Sequence, residues 1–177
     1  RPGTFANATG QAACEPRPPG SRQAKYNATF CTPCDAGAFC PSGASAGLPC
    51  PAGSWSRSYD LGDSSQCTVC PAGTFCSSGS VAPTPCAAGS FAASERTLSC
   101  SLCAAGKFQP AEGQTACLTC ERGHYCNRGA TTPTPCPGGT VGEATGLSRK
   151  DLCNPVAPGF WAPTGSGEPT PCPTSGF

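Results

Sequence analysis

The sequence predicts small disulfide-rich tandem repeats that form an elongated rod, with little regular secondary structure beyond short β-ladders and turns. Three observations predict this fold class. Cysteine supplies 17 of the 177 residues, Gly and Pro supply 23 and 21, and the cysteines recur at a fixed spacing. In a short secreted chain, a cysteine content this high indicates a disulfide scaffold.

The chain has too few large apolar side chains to build an ordinary hydrophobic core. Leu, Val and Phe total 19 residues, and Ile and Met are absent. Burial of so few side chains cannot offset the conformational entropy lost on folding, so covalent bonds must hold the chain. The net charge of +1 comes without a basic or acidic run, which argues against a nucleic-acid partner. No apolar run is long enough to insert into a membrane.

The cysteine pattern C-x2-C-x5-C-x9-C occurs three times. Its copies are Cys31, Cys34, Cys40 and Cys50; Cys67, Cys70, Cys76 and Cys86; and Cys117, Cys120, Cys126 and Cys136. A half-unit carries only Cys100 and Cys103, and a last copy runs from Cys153 to Cys172 with Val156 and Ala162 at its second and third cysteine positions. Such internal self-similarity indicates a tandem array.

The spacing divides the chain into six segments. These are an atypical N-terminal repeat (1–30), repeat 1 (31–66), repeat 2 (67–99), a half-repeat (100–116), repeat 3 (117–152) and a degenerate, truncated repeat (153–177).

Glycine and aromatic residues follow the same period. Glycine stands three residues after a cysteine at Gly37, Gly53, Gly73, Gly89, Gly106, Gly123 and Gly139. An aromatic residue stands five after it at Phe39, Trp55, Phe75, Phe91, Phe108 and Tyr125, whereas Val141 departs from the rule. Gly159 and Trp161 keep the register after Val156. We expect the glycine to supply a positive-φ turn and the ring to pack on a disulfide.

Two pairing schemes suit four cysteines per repeat. In one, the fourth cysteine bonds forward to the next first cysteine and the second bonds to the third; in the other, first bonds to third and second to fourth. The last copy lacks its second and third cysteines together, which removes a single bond only in the first scheme. The half-unit likewise adds one self-contained loop only in that scheme. The spacing therefore predicts Cys34–Cys40, Cys50–Cys67, Cys70–Cys76, Cys86–Cys100, Cys103–Cys117, Cys120–Cys126 and Cys136–Cys153.

The pairing of the outer cysteines is less constrained. Cys14 is expected to bond Cys31, although Gly3 and Phe5 also fit the register of a cysteine before Arg1 that could take Cys14 instead. Cys172 is expected to be unpaired within the chain. Because the cysteine count is odd, we expect the chain to belong to a longer array.

One string of residues resembles a known family. Cys70-Pro71-Ala72-Gly73-Thr74-Phe75-Cys76, followed by Thr84-Pro85-Cys86-Ala87-Ala88-Gly89-Ser90-Phe91, resembles the ephrin-receptor-like cysteine-rich repeat, which is similar in style to the tumour-necrosis-factor-receptor repeat. The resemblance covers nearly the whole chain. It implies an extracellular location and an elongated shape, and it implies no catalytic activity and no ligand-binding residues.

The C-x2-C pairs could instead bind zinc or exchange disulfides. Structural disulfides explain them better, because all but one pair is followed by a third cysteine at fixed spacing. His124, the only histidine, occupies a slot held elsewhere by Ala38 or Thr74 and is expected at the surface. We expect no catalytic residues, no metal site and no cofactor, and hence no enzyme.

Asn7-Ala8-Thr9 and Asn27-Ala28-Thr29 are N-glycosylation sequons, so Asn7 and Asn27 are predicted glycan sites. The 18 Ser and 18 Thr residues, several beside proline, suit either O-linked sugars or turn hydrogen bonds.

The sequence therefore predicts a structural, glycosylated segment of an extracellular filament or large cell-surface protein, secreted or at the cell surface. Its expected partners are copies of itself or flanking parts of a longer chain, glycans and a protein ligand. The alternative is a receptor or adhesion ectodomain whose stalk binds a protein ligand. Exposed Trp55, Tyr59, Tyr125 and Trp161 on one side would favour that alternative.

Overall fold

The computed structural model describes residues 4–5, 15–16, 18–23 and 30–173. Its regular structure consists of two-residue strands and two 3₁₀ turns, at Ser64–Gln66 and Lys150–Leu152. Consecutive strands pair as ten two-stranded hairpins, which we number from the first to the tenth. This architecture is the small disulfide-rich repeat fold that the sequence predicts.

The hairpins have the following bounds. The first to fifth are β1 (Thr4–Phe5) with β2 (Glu15–Pro16), β3 (Ser21–Arg22) with β4 (Thr32–Pro33), β5 (Ala38–Phe39) with β6 (Leu48–Pro49), β7 (Ser54–Trp55) with β8 (Thr68–Val69), and β9 (Thr74–Phe75) with β10 (Thr84–Pro85). The sixth to tenth are β11 (Ser90–Phe91) with β12 (Ser101–Leu102), β13 (Lys107–Phe108) with β14 (Leu118–Thr119), β15 (His124–Tyr125) with β16 (Thr134–Pro135), β17 (Thr140–Val141) with β18 (Asn154–Pro155), and β19 (Phe160–Trp161) with β20 (Thr170–Pro171).

The hairpins carry two kinds of disulfide staple. In a one-strand staple, such as Cys120–Cys126, the bond joins the segment before the first strand to the residue that follows that strand. In a two-strand staple, such as Cys103–Cys117, the bond joins the segment before the first strand to the residue that precedes the second strand. A two-residue ladder is too short to be stable in water by itself, and the third to ninth hairpins each have one staple. The second and tenth hairpins have no disulfide among the described residues.

The expected glycine turns are present. All eight glycines at the third position after the cysteine slot, from Gly37 to Gly159, have positive φ between 75° and 88°. The aromatic residue two positions later packs on sulfur: Phe39 lies against Cys50, Leu61 and Cys67, and Tyr125 lies against the equivalent group of Cys136, Leu147 and Cys153. Val141, which departs from the aromatic rule, fills the same place and is only 2% exposed.

The chain also has a longer period of 86 residues. Cys14, Cys31, Cys34, Cys40, Cys50 and Cys67 recur as Cys100, Cys117, Cys120, Cys126, Cys136 and Cys153. Gln23 and Leu61 recur at the same offset as Gln109 and Leu147. The structure separates into two compact units with nearly this boundary, residues 1–84 with 94–99 and residues 85–93 with 100–177. Each unit contains the strands of about one 86-residue period.

The hydrogen-bonded hairpins cross the segment bounds expected from the cysteine pattern. Trp55 of segment 31–66, for example, pairs with Thr68 of segment 67–99. The repeat of the cysteine pattern and the repeat of the hairpins therefore differ in phase. Among the described residues, no helix has the length and apolar character needed to cross a bilayer.

Candidate functional site

The structure forms seven disulfides, and they are the seven pairs that the spacing predicts. They are Cys34–Cys40, Cys50–Cys67, Cys70–Cys76, Cys86–Cys100, Cys103–Cys117, Cys120–Cys126 and Cys136–Cys153. The ten most completely buried side chains are all cysteines from these bonds. Sulfur therefore occupies the interior that aliphatic side chains fill in an ordinary domain.

The expected Cys14–Cys31 bond is not formed, because Cys31 is a free cysteine; Cys14 lies outside the described residues. The hairpin register supplies the reason. Cys14 and Cys31 each precede a second strand, β2 or β4, as Cys100 and Cys117 do in the sixth and seventh hairpins. Cys14 and Cys31 therefore occupy the same position in their hairpins, and cysteines at this position do not bond to each other. The residue equivalent to Cys103, which would close onto Cys31, is Arg17 in the sequence.

Cys172 is free and exposed in the structure. It follows β20 and lies at the position equivalent to Cys86, which opens the two-strand staple of the sixth hairpin. In the 86-residue period Cys172 therefore corresponds to a staple cysteine.

Backbone hydrogen bonds join each hairpin to the next within a unit. In the seventh hairpin, the Gly106 amide donates to the Cys126 carbonyl at 2.7 Å and the Gln109 amide donates to Ala130 at 3.0 Å. In return, the Gly129 amide donates to the Cys103 carbonyl at 2.8 Å. We call these three contacts the step bonds.

The step bonds repeat at the next step of the same unit. The Gly123 amide donates to Gly142 at 2.8 Å, the Cys126 amide to Leu147 at 2.9 Å, and the Gly146 amide to Cys120 at 2.7 Å. Because these bonds use main-chain atoms, the joint tolerates almost any side chain at most positions. This tolerance explains how one joint recurs through so variable a sequence.

The glycine at the third position is also required by close approach. A β-carbon on Gly106 would collide with the Gly146 carbonyl, and one on Gly123 would collide with the Gly165 carbonyl. In both cases the carbonyl belongs to the hairpin two steps further along. Gly106 and Gly123 thus pack directly against backbone, and only a residue without a side chain fits at these two positions.

Arg122 ties three hairpins of the second unit together. Its guanidinium donates to the Glu143 carbonyl at 2.8 Å and forms an ion pair with Glu168 at 2.9 Å. It also donates to the Gly167 carbonyl at 3.3 Å. The sequence analysis did not single out Arg122, because its partners lie 21 to 46 residues away.

Two buried glutamines bond across the loops of the second and seventh hairpins. Gln109 is 5% exposed; its side-chain amide donates to the Ala116 carbonyl at 2.8 Å and its oxygen accepts from the Ala111 amide at 3.1 Å. Gln23 makes the equivalent contact to the Phe30 carbonyl. Their spacing of 86 residues is the signal that could have identified them from sequence.

Several Ser and Thr hydroxyl groups donate hydrogen bonds to the carbonyl of a proline three residues earlier. The hydroxyls of Ser54, Thr74 and Thr140 donate to the carbonyls of Pro51, Pro71 and Pro137 at 2.6 to 2.7 Å. At these positions turn chemistry accounts for the Ser and Thr residues. The predicted glycan sites Asn7 and Asn27 lie outside the described residues.

His124 is half-buried in β15, and its Nδ1 lies 3.2 Å from the Arg122 carbonyl. The described residues contain no group of three or more His, Cys, Asp or Glu side chains that could hold a metal ion. A depression of about 280 Å³ is lined mainly by small residues, with Ser54, Ser64, Ser65 and Arg96 as its polar side chains. These four side chains do not include a nucleophile and base pair.

Of the four aromatic residues considered for ligand binding, two are exposed. Tyr59 is 62% exposed and Trp161 is 48% exposed. Trp55 and Tyr125 are half-buried, the first with Arg57 over its ring at 5.9 Å and the second against the disulfide core. Two of the four rings are therefore half-buried, and the other two are exposed.

Buried disulfides in tandem, with short hairpins between them, define a class: an extracellular structural or ectodomain-like segment built for an oxidising environment. No family model and no curated protein matches the chain.

Proposed function

We propose that the chain is a structural segment of an extracellular filament or large cell-surface protein, of the ephrin-receptor-like repeat style, without catalytic activity. The observation that supports it best is the joint between hairpins. Disulfide staples hold the third to ninth hairpins, and backbone step bonds join consecutive hairpins within a unit. Such a construction maintains spacing along a chain, which is what an architectural segment requires.

The proposal includes N-linked glycans on Asn7 and Asn27. Both sequons precede Cys34, the first disulfide-bonded cysteine, in the sequence. The partners of the segment are then further repeats of the same kind, either in a longer chain or in another copy.

Two measurements test this function. Negative-stain imaging of the native extracellular material should show regular filaments or extended particles; discrete compact monomers would count against it. Intact-mass analysis of the secreted chain before and after N-glycosidase should show a loss at two sites, and Asn7→Gln with Asn27→Gln should remove both. A mass equal to the bare polypeptide of 17.6 kDa would exclude the glycans.

A further inference from the structure

We propose that Thr84 and Thr134 are O-glycosylation sites, each modified on its hydroxyl oxygen in the secretory route. Each lies between two prolines, in Pro83-Thr84-Pro85 and in Pro133-Thr134-Pro135, and begins the second strand of its hairpin, β10 or β16. The same tripeptide recurs around Thr170 in the tenth hairpin, where we expect the same modification. These glycans go beyond the proposed structural role, because they require only the secretory route that the disulfides indicate.

The second proline of each tripeptide lies beside a later hairpin. A β-carbon on Gly113 would lie 3.7 Å from Pro85 Cβ, and one on Gly165 would lie 3.5 Å from Pro135 Cβ, both ordinary van der Waals contacts. These glycines belong to the loops of the seventh and tenth hairpins, two steps further along the chain. Packing between hairpins therefore accounts for the prolines, but it does not account for the threonine between them.

The threonine of each tripeptide is exposed. Thr84 and Thr134 both lie at the surface, and among the described residues neither hydroxyl has a hydrogen-bond partner. Further hairpins precede and follow both residues in the chain, so this exposure is a property of the repeat itself. Both hydroxyls are therefore accessible to an enzyme that approaches from solvent.

Threonine hydroxyls elsewhere in the chain are engaged by the fold. Thr32 has the equivalent place at the start of β4 and also precedes a proline, but its hydroxyl donates to the Arg22 carbonyl at 3.0 Å. Thr74 lies in the first strand of the same hairpin as Thr84, and its hydroxyl donates to the Pro71 carbonyl at 2.7 Å. The tripeptide thus distinguishes accessible threonines from threonines that the fold uses.

The two prolines hold the acceptor threonine in an extended backbone. A residue before proline is restricted to the β or polyproline region, and each proline fixes its own φ. Pro83-Thr84-Pro85 is therefore extended in β10 and favours the same conformation before the chain folds. Extended proline-rich segments are recognised in grooves of other proteins, and a preformed conformation reduces the entropy lost on binding. The tripeptide is thus a suitable acceptor for a glycosyltransferase.

The transfer uses a nucleoside-diphosphate sugar as donor and a transferase of the secretory route as catalyst. The threonine Oγ1 forms a bond to the anomeric carbon of the sugar, and the bond between that carbon and the diphosphate oxygen breaks. The nucleoside diphosphate leaves with the electron pair, and the hydroxyl proton passes to a base of the transferase.

The surroundings of both threonines favour a sugar over a phosphate. No Lys or Arg lies within five residues of Thr84 or Thr134 in the sequence. A phosphate on either hydroxyl would therefore have no basic side chain near it in sequence to form a charge-assisted hydrogen bond. A neutral sugar needs no such partner.

Glycopeptide mapping of the native extracellular material tests the assignment. After N-glycosidase treatment and digestion, electron-transfer fragmentation should locate a sugar on Thr84 and Thr134 in most copies, and none on Thr32 or Thr74. Bare Thr84 and Thr134, a phosphate in place of the sugar, or equal modification of Thr74 would overturn the proposal. These outcomes leave the filament imaging and the N-glycan masses unaffected, so the two proposals fail separately.

Variants expressed in the cells that secrete the native material test the recognition element. Thr84→Val should remove one glycan, whereas Thr74→Val should retain all of them. Pro83→Ala should lower the occupancy of Thr84 at least about fivefold, because the acceptor is less preformed, while Thr134 in the same molecule stays fully modified. Disulfide mapping shows that each variant has folded. Unchanged occupancy of Thr84 in the Pro83→Ala protein would overturn the assignment of the tripeptide as the recognised acceptor.

Discussion

The amide of Gly106 donates to the carbonyl of Cys126 at 2.7 Å, which places the backbone of one hairpin against the next. The same glycine leaves no room for a side chain, because the Gly146 carbonyl occupies the direction of a β-carbon. Gly106 therefore provides both a positive-φ turn and a backbone contact between hairpins. Comparison of its alanine variant with an alanine variant of a glycine that provides only the turn separates these two contributions.

Gly106→Ala should destabilise the protein by more than about 2 kcal/mol, because it adds a backbone clash to the cost of an alanine at positive φ. Gly159→Ala is the matched control. Its φ of +88° is close to the +86° of Gly106, but its β-carbon would lie in open space, so it should cost only about 1 kcal/mol. Denaturant unfolding with the disulfides intact measures both. Equal losses would mean that the close approach at Gly106 has no energetic weight.

A new staple should form in the tenth hairpin. Val156 and Ala162 occupy the positions held by Cys120 and Cys126 in the eighth hairpin, so Val156→Cys with Ala162→Cys, in a background without Cys31 and Cys172, should give an eighth disulfide. The bond should stabilise the chain by about 2 kcal/mol, since it closes only a short loop. Intact mass should fall by two hydrogens relative to the dithiol. Persistence of both thiols under oxidising refolding would show that the tenth hairpin lacks the geometry of the eighth.

Loss of the Gln109 side chain should be costly because this buried side chain bonds the backbone of Ala111 and of Ala116, on both sides of its loop. Gln109→Ala is expected to lower the free energy of unfolding by about 1–3 kcal/mol. Gln114→Ala serves as the control, because that side chain is exposed and makes one local bond to the Glu112 carbonyl. Its effect should be within about 0.5 kcal/mol. If the two variants unfold at the same denaturant concentration, the contacts of Gln109 do not stabilise the loop.

Asp63 should confer a small acid sensitivity on the 3₁₀ turn at Ser64–Gln66. The Ser65 amide, donating to the Asp63 carboxylate at 2.8 Å, lowers the pKa of that carboxyl below its usual 3.8. Since the folded-state pKa is depressed, the stabilisation is present above the unfolded pKa and is lost as pH falls through the folded pKa. Asp63→Asn should remove this dependence while keeping a cap. The carboxyl titration, followed by NMR, would contradict the capping contact if its midpoint were not lowered.

The sequence predicts the bonding well where it is local. Cys120 and Cys126 are six residues apart and flank one strand, and the last copy lacks the equivalent two cysteines together, which identifies the two positions as partners. The fixed glycine register likewise predicted the positive φ at Gly123. Local geometry determines both features, and local geometry is what a repeated sequence pattern preserves.

The joints between hairpins could not be predicted in the same way. They join main-chain atoms of residues such as Gly123 and Gly142, and main-chain groups leave no trace in residue type except where glycine is obligatory. Arg122 reaches Glu168 across 46 residues, which a short repeat does not reveal. The Cys14–Cys31 expectation failed because it used the 17-residue separation shared with Cys50–Cys67 and Cys136–Cys153, whereas the 86-residue period places both cysteines before a second strand.

Disulfide mapping tests the central claim most directly, namely that one-strand and two-strand staples replace the hydrophobic core. The secreted protein, alkylated and digested without reduction, should yield seven linked peptides that join the pairs from Cys34–Cys40 to Cys136–Cys153, with Cys31 and Cys172 alkylated. A peptide linking Cys34 to Cys50, or a bond between Cys100 and Cys103, would contradict the account.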